Sequence, residues 1–383
     1  MWHFPELQWM KYFGWWPAGC KTPSGTKYCR LFGYFLCFIV VYEFVPEFFS
    51  IIQAIRHGEI DVAIFNISQT ALGLQWLIRL TTFLPNEKLL LRILAKLRDC
   101  DEKTRKVIGD EAANKSYKAR EKWCRGLNIM SFMEDGCTAV WITRPLFNLI
   151  LFGEKVNLID AWTPIDTNNL PGWFAMYIVQ GVHVMAALYG IIFYDTLMFV
   201  LLQMYHLQFD NLKYLLRGLK FPYRTFGPLS ITSDFRFAIW LHQNIIQLGD
   251  MINDLIKYML FFSAINSIML ICVPVYQFTQ LTESSVLRPL MVFACVCFAV
   301  SILLTYCWVN NCILDESEEV LRAAYDNNWY EGSVADKRDL FLLIEVGRKK
   351  RPFGFIIQSN LELFIAIIKS AFSYYQFLDA VTS

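Results

Sequence analysis

Seven long apolar stretches determine what this chain can fold into. Each has the roughly 20 mostly apolar residues that an α-helix needs to cross the hydrocarbon core of a membrane. They occupy residues 31–53, 61–84, 128–152, 173–204, 258–280, 289–311 and 355–378. Only 18% of all residues are charged, against about 25% in soluble domains. The sequence therefore predicts an all-α polytopic membrane protein with seven transmembrane helices.

The basic residues between these stretches predict how the chain is oriented. Positively charged loops stay on the cytoplasmic side of a membrane. Of the 35 lysines and arginines, 29 lie in residues 1–30, 85–125, 205–257 and 312–354, and three lie in the other connections. We therefore expect the N-terminus in the cytoplasm and the C-terminus outside the cell.

The cytoplasmic connections are themselves predicted to be helical. Apolar residues recur at helical spacing in 85–125 and 205–257. Such a cytoplasmic layer could be a docking site for a partner or could hold copies of the chain together. The second use is favoured, because the apolar stripes need burial. We divide the chain into residues 1–311, with the first six membrane helices and their cytoplasmic extensions, 312–354, with cytoplasmic helices, and 355–383, with the seventh membrane helix.

The sequence contains no pattern of catalytic or metal-binding residues. It has no GxSxG, HExxH or P-loop motif and no CxxC pair, and its five histidines are too scattered to chelate an ion together. We expect no enzyme activity, no metal and no cofactor. A formal net charge of +1 also argues against nucleic-acid binding, which requires a clear basic excess.

One face of the seventh stretch is polar or small throughout. Steps of four and three residues join its members, which are Glu362, Ala366, Lys369, Ser373, Gln376 and Ala380. A lysine at the membrane centre costs about 2.5–3.5 kcal/mol if it faces lipid. The outer end of the helix lies about 13 Å away from Lys369, beyond the reach of its side chain. Either one protomer buries this face in its own bundle, or several copies place it around a water-filled path.

The end of the chain resembles the C-terminal signature of insect odorant receptors. The resemblance covers residues 323–378 and rests on Tyr325, Trp329, Lys337-Arg338 before a leucine run, Pro352, Phe364, Lys369 and the Ser373-Tyr374 pair. The seven stretches, the orientation and the chain length extend it to the whole protein. One departure is that residues 373–378 read SYYQFL, where the family usually has Ser-Tyr-Phe-Thr-Leu-Leu.

The resemblance implies a ligand-gated, non-selective cation channel in which the seventh helices of four subunits line one pore. A tuning subunit of this family pairs with a common odorant co-receptor through cytoplasmic anchor helices, which here include Tyr325 and Trp329. This chain resembles a tuning subunit, because its 205–257 connection is too short for the insertion of the co-receptor. The implied location is the plasma membrane of the olfactory sensory neuron dendrite. The implied pore and gate residues are Lys369, Ser373, Gln376, Phe377 and Val381, with the narrowest ring at Phe377.

The same resemblance places the odorant site in the outer half of the helix bundle. Candidate residues have apolar, aromatic or weakly polar side chains at that depth in spans two to five. They are Ser68, Leu72, Gln75, Met133, Cys137, Trp141, Met185, Tyr189 and Tyr276. An apolar cavity with few hydrogen-bonding groups suits a small volatile molecule, and the aromatic lining suggests cyclic or indole-like ligands.

Two other functions are compatible with seven apolar stretches. A G-protein-coupled receptor has seven spans, but its N-terminus lies outside the cell. A small-molecule transporter is expected to have internal repeats and broken helices in matching halves, and neither is found in the sequence. The odorant-gated channel is therefore the leading interpretation.

An epitope tag on the N-terminus tests the orientation. We expect antibody to stain this tag only after the cell membrane is permeabilised, because the basic connections hold the N-terminus inside. A tag on the C-terminus is the control and should stain in intact cells. Staining of the N-terminal tag on intact cells would contradict the orientation and favour a G-protein-coupled receptor.

Overall fold

The computed structural model is almost entirely helical in the part of the chain that it describes. That part comprises residues 23–111, 113–114, 118, 136, 138–159, 161–163, 165–220, 233–279, 287–349 and 351–382. Within these residues, β-type pairing is limited to an isolated bridge between Gly354 and Gln358. The predicted all-α class is confirmed.

The helices are numbered here in chain order. They are α1 (Pro23–His57), α2 (Ile60–Phe83), α3 (Glu87–Ile108), α4 (Thr138–Phe152), α5 (Leu170–Arg217), α6 (Ser233–Thr279), α7 (Leu287–Tyr325), α8 (Val334–Gly347) and α9 (Leu361–Thr382). A short 3-10 turn, Trp329–Glu331, separates α7 from α8.

Each of the seven predicted spans coincides with one of these helices. Five of them, α1, α5, α6, α7 and α9, are long and apolar enough to cross a membrane. The predicted second span coincides with α2, which carries the charged Arg79. The third coincides with the shorter α4, and most of residues 128–137 lie outside the described part. The total of seven spans and the orientation stay predictions.

Local sequence signals explain where several helices begin and end. The turn after α1 contains Gly58 at φ +77°, a left-handed conformation that glycine adopts without a steric penalty. Asn169 caps α5 by accepting a hydrogen bond from the Gly172 N–H at 2.6 Å. At the start of α8, Ser333 and Asp336 form a reciprocal capping box. Each such cap stabilises its helix by about 0.5–2 kcal/mol.

Helix α6 is the centre of the bundle. It packs against α2, α7, α9, α5 and α3. Its first half carries a stripe of apolar side chains, all at most 2% exposed, in steps of three and four residues: Phe235, Ala238, Leu241, Ile245, Leu248, Ile252 and Leu255. Because burying one large apolar side chain contributes about 1.5–3 kcal/mol in water, this stripe stabilises the predicted cytoplasmic layer.

Helix α1 presents one apolar face to the outside of the bundle. Its exposed side chains include Leu31, Phe35, Phe38, Val45 and Phe49. Exposed apolar side chains in a row are typical of a helix that faces lipid, since hydrocarbon chains solvate them as well as a protein core does.

An ion pair inside the bundle connects three helices. Nε and Nη2 of Arg79 on α2 each donate a hydrogen bond to one carboxylate oxygen of Asp195 on α5, both at 2.7 Å. The Tyr306 hydroxyl on α7 donates to Asp195 Oδ1 at 2.7 Å. The two charged side chains are 1% and 5% exposed. The charges therefore compensate each other inside the bundle, and neither has to face lipid.

The substitution Arg79→Met tests this connection. It leaves the Asp195 carboxylate buried without its cation, and we expect the protein to lose about 3–5 kcal/mol of stability. Thermal unfolding of the detergent-solubilised protein measures the loss as a lower melting temperature. The double variant Arg79→Met, Asp195→Leu is the control and should recover most of it, because an apolar pair of similar volume removes both charges. A single variant that melts like the wild type would contradict the role of the pair.

Candidate functional site

The polar face of α9 is not covered by its own protomer. Glu362, Lys369, Ser373 and Gln376 are all exposed, as are Ala366 and Ala380 on the same face. The Ser373 hydroxyl is bonded back to the Lys369 carbonyl at 3.0 Å. Burial of this face inside the bundle of one protomer, which the sequence left open, does not occur.

The opposite face of α9 joins it to the bundle. Ile367 and Ala371 are buried at 4% and 1% exposure, in an apolar cluster with Leu303 and Cys307 of α7 and Cys272 of α6. The small Ala371 allows the close approach of the helices. Phe377, the residue implied at the narrowest ring, is exposed, and the side chain of Val381 lies outside the described part.

The segment that leads into α9, residues 351–360, is attached to α6. Nη1 of Arg351 donates to both Asp250 oxygens at 2.8 Å, and the Gly354 N–H donates to Asn253 Oδ1 at 2.9 Å. Gly354 has φ +146°, and a Cβ added there would lie 2.2 Å from the Ile357 carbonyl oxygen. Asn360 Oδ1 accepts from the Leu363 N–H at 2.9 Å. The first turn of α9 is therefore fixed relative to α6.

Two of the predicted odorant-binding residues line one cleft. Ser68 and Leu72 of α2 face α6 and α7 across a cleft of about 370 Å³ that is partly open to the surroundings. The other lining residues are Phe65, Gln69, Leu270, Pro274, Gln277, Val292 and Cys295. By the predicted orientation, this cleft lies in the outer half of the bundle. We name it the α2–α6–α7 cleft.

The α2–α6–α7 cleft contains a hydrogen-bond donor that the sequence analysis missed. Gln277 Nε2 is buried without a hydrogen-bond partner among the described residues. A buried donor in this state costs about 1–3 kcal/mol, so a ligand oxygen that accepted its hydrogen bond would recover that cost. A polar side chain inside an apolar stretch is the sequence signal that could have identified Gln277.

The structure places Gln75 in a different cavity from Ser68. Gln75 Oε1 accepts a hydrogen bond from Nη1 of Arg79, and its Nε2 donates to the Ser263 carbonyl at 3.3 Å. This cavity, of about 360 Å³, also contacts Ser359 and Leu363 at the root of α9. Gln75 therefore belongs to the ion-pair network between the α2–α6–α7 cleft and the seventh helix.

The remaining odorant-binding candidates are dispersed. Trp141 is buried in the same apolar cluster as Leu72, and Tyr276 is buried against Ile64 and Val273. The ring of Tyr189 stacks on Phe193 of its own helix, with centroids 5.9 Å apart, and Met185 is 41% exposed. Met133 and Cys137 lie outside the described residues. Their contact with a ligand stays a prediction.

The two predicted anchor residues form part of an exposed apolar surface. The Tyr325 and Trp329 rings lie 5.3 Å apart, and Tyr325 is 63% exposed. Other large exposed side chains on α8 and the 3-10 turn are Tyr330, Val334, Phe341 and Leu342. We call this the anchor surface. Contiguous apolar side chains in water are typical of a protein–protein contact.

A charged cluster connects α5 to α7 beyond the predicted inner ends of those spans. Glu316 Oε1 lies 3.0 Å from His206 Nε2, and Glu316 Oε2 accepts a hydrogen bond from Lys213. Burial would raise the pKa of Glu316, but the hydrogen bonds from His206 and Lys213 outweigh it and lower this pKa from 4.5 to about 2. The carboxylate therefore stays charged at physiological pH and holds α5 to α7.

A family model described as the 7tm odorant receptor matches residues 59–372. The chain belongs to this family. The family and the fold are those of receptors rather than enzymes, and the assignment does not favour a G-protein-coupled receptor. In the described part of this receptor, no group of three or more His, Cys, Asp or Glu residues could hold a metal ion.

Curated relatives of the receptor include both odorant receptors and co-receptors. It is 25% identical over 203 residues to the putative odorant receptor 85d of Drosophila melanogaster, which is 52% of this chain and 47% of that protein. It is 28% identical over 143 residues to the putative odorant receptor 69a, isoform A, of the same species, 36% and 34% of the two chains. It is 22% identical over 152 residues to the odorant receptor coreceptor of Anopheles gambiae, 39% and 32%. The chain thus matches 32% to 47% of the lengths of these relatives.

Solved structures resemble the receptor over almost its full length. The insect olfactory receptor OR5 from Machilis hrabei, in complex with eugenol, has a TM-score of 0.84 at 15% identity and is matched over 98% of this chain and 97% of that one. A second structure of OR5 has a TM-score of 0.81, also at 15% identity, over 98% and 96% of the two chains. The shared fold and the apolar helices identify a multi-pass membrane protein.

Proposed function

We propose that this receptor is a subunit of an odorant-gated, non-selective cation channel in the plasma membrane. The observation that carries the proposal is the exposed polar face of α9. Lys369 and Gln376 are too polar to face hydrocarbon, and their own protomer does not cover them. Water in a path between several subunits would hydrate Lys369 and Gln376, so that neither residue faces hydrocarbon or needs cover from its own protomer.

A single helix cannot enclose a path, so the pore requires an oligomer. We propose a tetramer that combines this chain with the odorant co-receptor, with the α9 helices around the common axis. Relatives in the family include co-receptors, which supports the pairing. The anchor surface at Tyr325 and Trp329 is the contact that we assign to the neighbouring subunit.

The α2–α6–α7 cleft is the proposed odorant site. Its walls are mostly apolar, with Ser68, Gln69 and Gln277 as the hydrogen-bonding groups. This chemistry fits a small, mostly apolar volatile that carries one or two oxygen atoms. Eugenol, bound to OR5, is a molecule of this kind. The affinity is limited to at most about 1.5 kcal/mol per non-hydrogen atom, so such a ligand binds modestly.

Two helices connect the proposed odorant site with the proposed pore. Helix α6 supplies Leu270, Pro274 and Gln277 to the cleft, and α9 packs against both α6 and α7. A ligand that separates α6 or α7 from α2 therefore changes the packing surface of Ile367 and Ala371. We propose that this movement lets the ring at Phe377 widen and the channel open.

The substitutions Lys369→Ala and Gln376→Ala test the pore. In water, the positive charge of a lysine repels a cation 4 Å away by about 1 kcal/mol. This repulsion lowers the local cation concentration by a factor of roughly five. Lys369→Ala should therefore raise cation conductance up to about fivefold, and Gln376→Ala should change the permeability ratios of monovalent cations. Neither should change the rank order of odorants. Recordings from cells that also express the co-receptor measure both quantities.

Leu74→Ala is the control for the pore. Leu74 is exposed on α2 and is not part of α9, so its removal should leave permeation unchanged. Conductance and permeability that are unaltered by both Lys369→Ala and Gln376→Ala, at normal surface expression, would refute the proposed pore face.

Filling the α2–α6–α7 cleft tests the odorant site. Leu72→Trp places a larger side chain in the cleft, and we expect the half-maximal odorant concentration to rise at least about tenfold, equivalent to 1.4 kcal/mol. Leu74→Trp is the control, because Leu74 lies on the exposed face of the same helix. Equal sensitivity of the two variants would show that odorants bind elsewhere.

A further inference from the structure

The segment between α8 and α9 combines a basic run with exposed apolar side chains. Residues 348–351 are all lysine or arginine. A few residues later, Phe355, Ile356 and Ile357 are exposed, with Ile356 at 71%. Basic residues followed by apolar ones are typical of a segment that lies at a membrane surface, with its charges at the headgroups and its apolar side chains in the acyl boundary.

The basic run keeps a positive charge after its own ion pairs are counted. Arg348 pairs with Glu345 at 3.0 Å, and Arg351 pairs with Asp250 at 2.8 Å. Both pairs are exposed, and exposed pairs of this kind are weak. Lys349 is exposed and has no acidic partner among the described residues. An anionic group can therefore bind here without displacing a strong internal contact.

A cleft behind the basic run offers space for such a group. It measures about 520 Å³, is partly open to solvent and lies between α5, α6, α7 and α8. Lys349, Arg351 and His242 line it together with Ser317. Its other lining residues are mostly apolar, among them Ile245, Ile313 and Val346. Cationic and hydroxyl groups beside an apolar wall match a phosphorylated headgroup attached to an acyl chain.

We infer that this segment binds an anionic phospholipid of the inner leaflet. Arg348 and Lys349 contact the phosphate groups of the lipid, Arg351 stays paired with Asp250, and Phe355 and Ile356 enter the acyl boundary. Clusters of basic residues directly on the cytoplasmic side of a membrane helix are attracted to anionic lipids by about 1 kcal/mol per residue. The inference rests on the proposed orientation, which places this segment in the cytoplasm.

The bound lipid affects the position of the seventh helix. The segment is joined to α6 through Arg351–Asp250 and Gly354–Asn253, and α9 begins at Leu361. A lipid that holds Lys349 and Ile356 at the membrane surface therefore limits how far the root of α9 can move. We assign to this site a regulatory role in opening the proposed channel.

Binding to the purified full-length receptor in detergent tests the lipid site. The probes are dioctanoyl phosphatidylinositol bisphosphate, dioctanoyl phosphatidylcholine and inositol trisphosphate, each used to displace a fluorescent phosphoinositide. We expect the anionic lipid to bind most tightly, and the variant Arg348→Gln, Lys349→Gln to weaken it about 30-fold, the loss of two contacts of about 1 kcal/mol. The variant Lys337→Gln, Arg338→Gln is the control, because it removes the same charge from the other end of α8.

Ile356→Ser separates a membrane lipid from a soluble phosphate. It should weaken phosphatidylinositol bisphosphate about tenfold through lost apolar contact and leave inositol trisphosphate unchanged. Inositol trisphosphate that binds as tightly as the lipid would overturn the inference in favour of a soluble ligand. Phosphatidylcholine that binds as tightly as phosphatidylinositol bisphosphate would overturn it as well. So would an equal loss of lipid affinity in the Arg348→Gln, Lys349→Gln variant and in the Lys337→Gln, Arg338→Gln control. These binding measurements need neither an odorant nor an ion current. They therefore test the lipid site even if the proposed channel function is wrong.

Discussion

Hydrocarbon offers no hydrogen bonds, so each polar group in a membrane-spanning helix needs a partner in protein or in water. This receptor uses both solutions. Arg79 donates hydrogen bonds to Asp195 and to the Gln75 carbonyl inside the bundle, and Asp195 also accepts one from the Tyr306 hydroxyl. Lys369 instead points away from its protomer. The first arrangement stabilises one subunit, whereas the second makes an isolated subunit incomplete, which is why the function proposed here depends on assembly.

Helix α6 carries the mechanical connection between these two regions. Its first half, which the predicted orientation places in the cytoplasm, is held by a continuous apolar stripe. The same half is joined to the segment before α9 by Asp250 and Asn253. Its second half forms a wall of the α2–α6–α7 cleft. Changes in the cleft can therefore reach α9 through direct packing, without a longer chain of contacts.

Periodicity predicted the features that depend on neighbouring residues in sequence. The polar face of α9 follows from steps of three and four residues, and the helix positions follow from apolar length. Contacts between distant residues were not predictable in this way. Arg79 and Asp195 are 116 residues apart, and their pairing depends on how α2 and α5 rotate about their axes. The cleft likewise needs Gln277 and Ser68 from different helices, which is why only part of the predicted site came together.

Pro274 gives the proposed ligand site a mechanical property of its own. It lies inside α6, and proline lacks the N–H that would bond to the carbonyl four residues earlier, at Leu270. Both residues line the cleft. The hydrogen-bond ladder of the central helix is thus interrupted where an odorant would enter, and bending there costs less than elsewhere along the helix. The end of α6 beyond Pro274 can therefore bend relative to the rest of the helix, whose buried apolar stripe packs in the bundle.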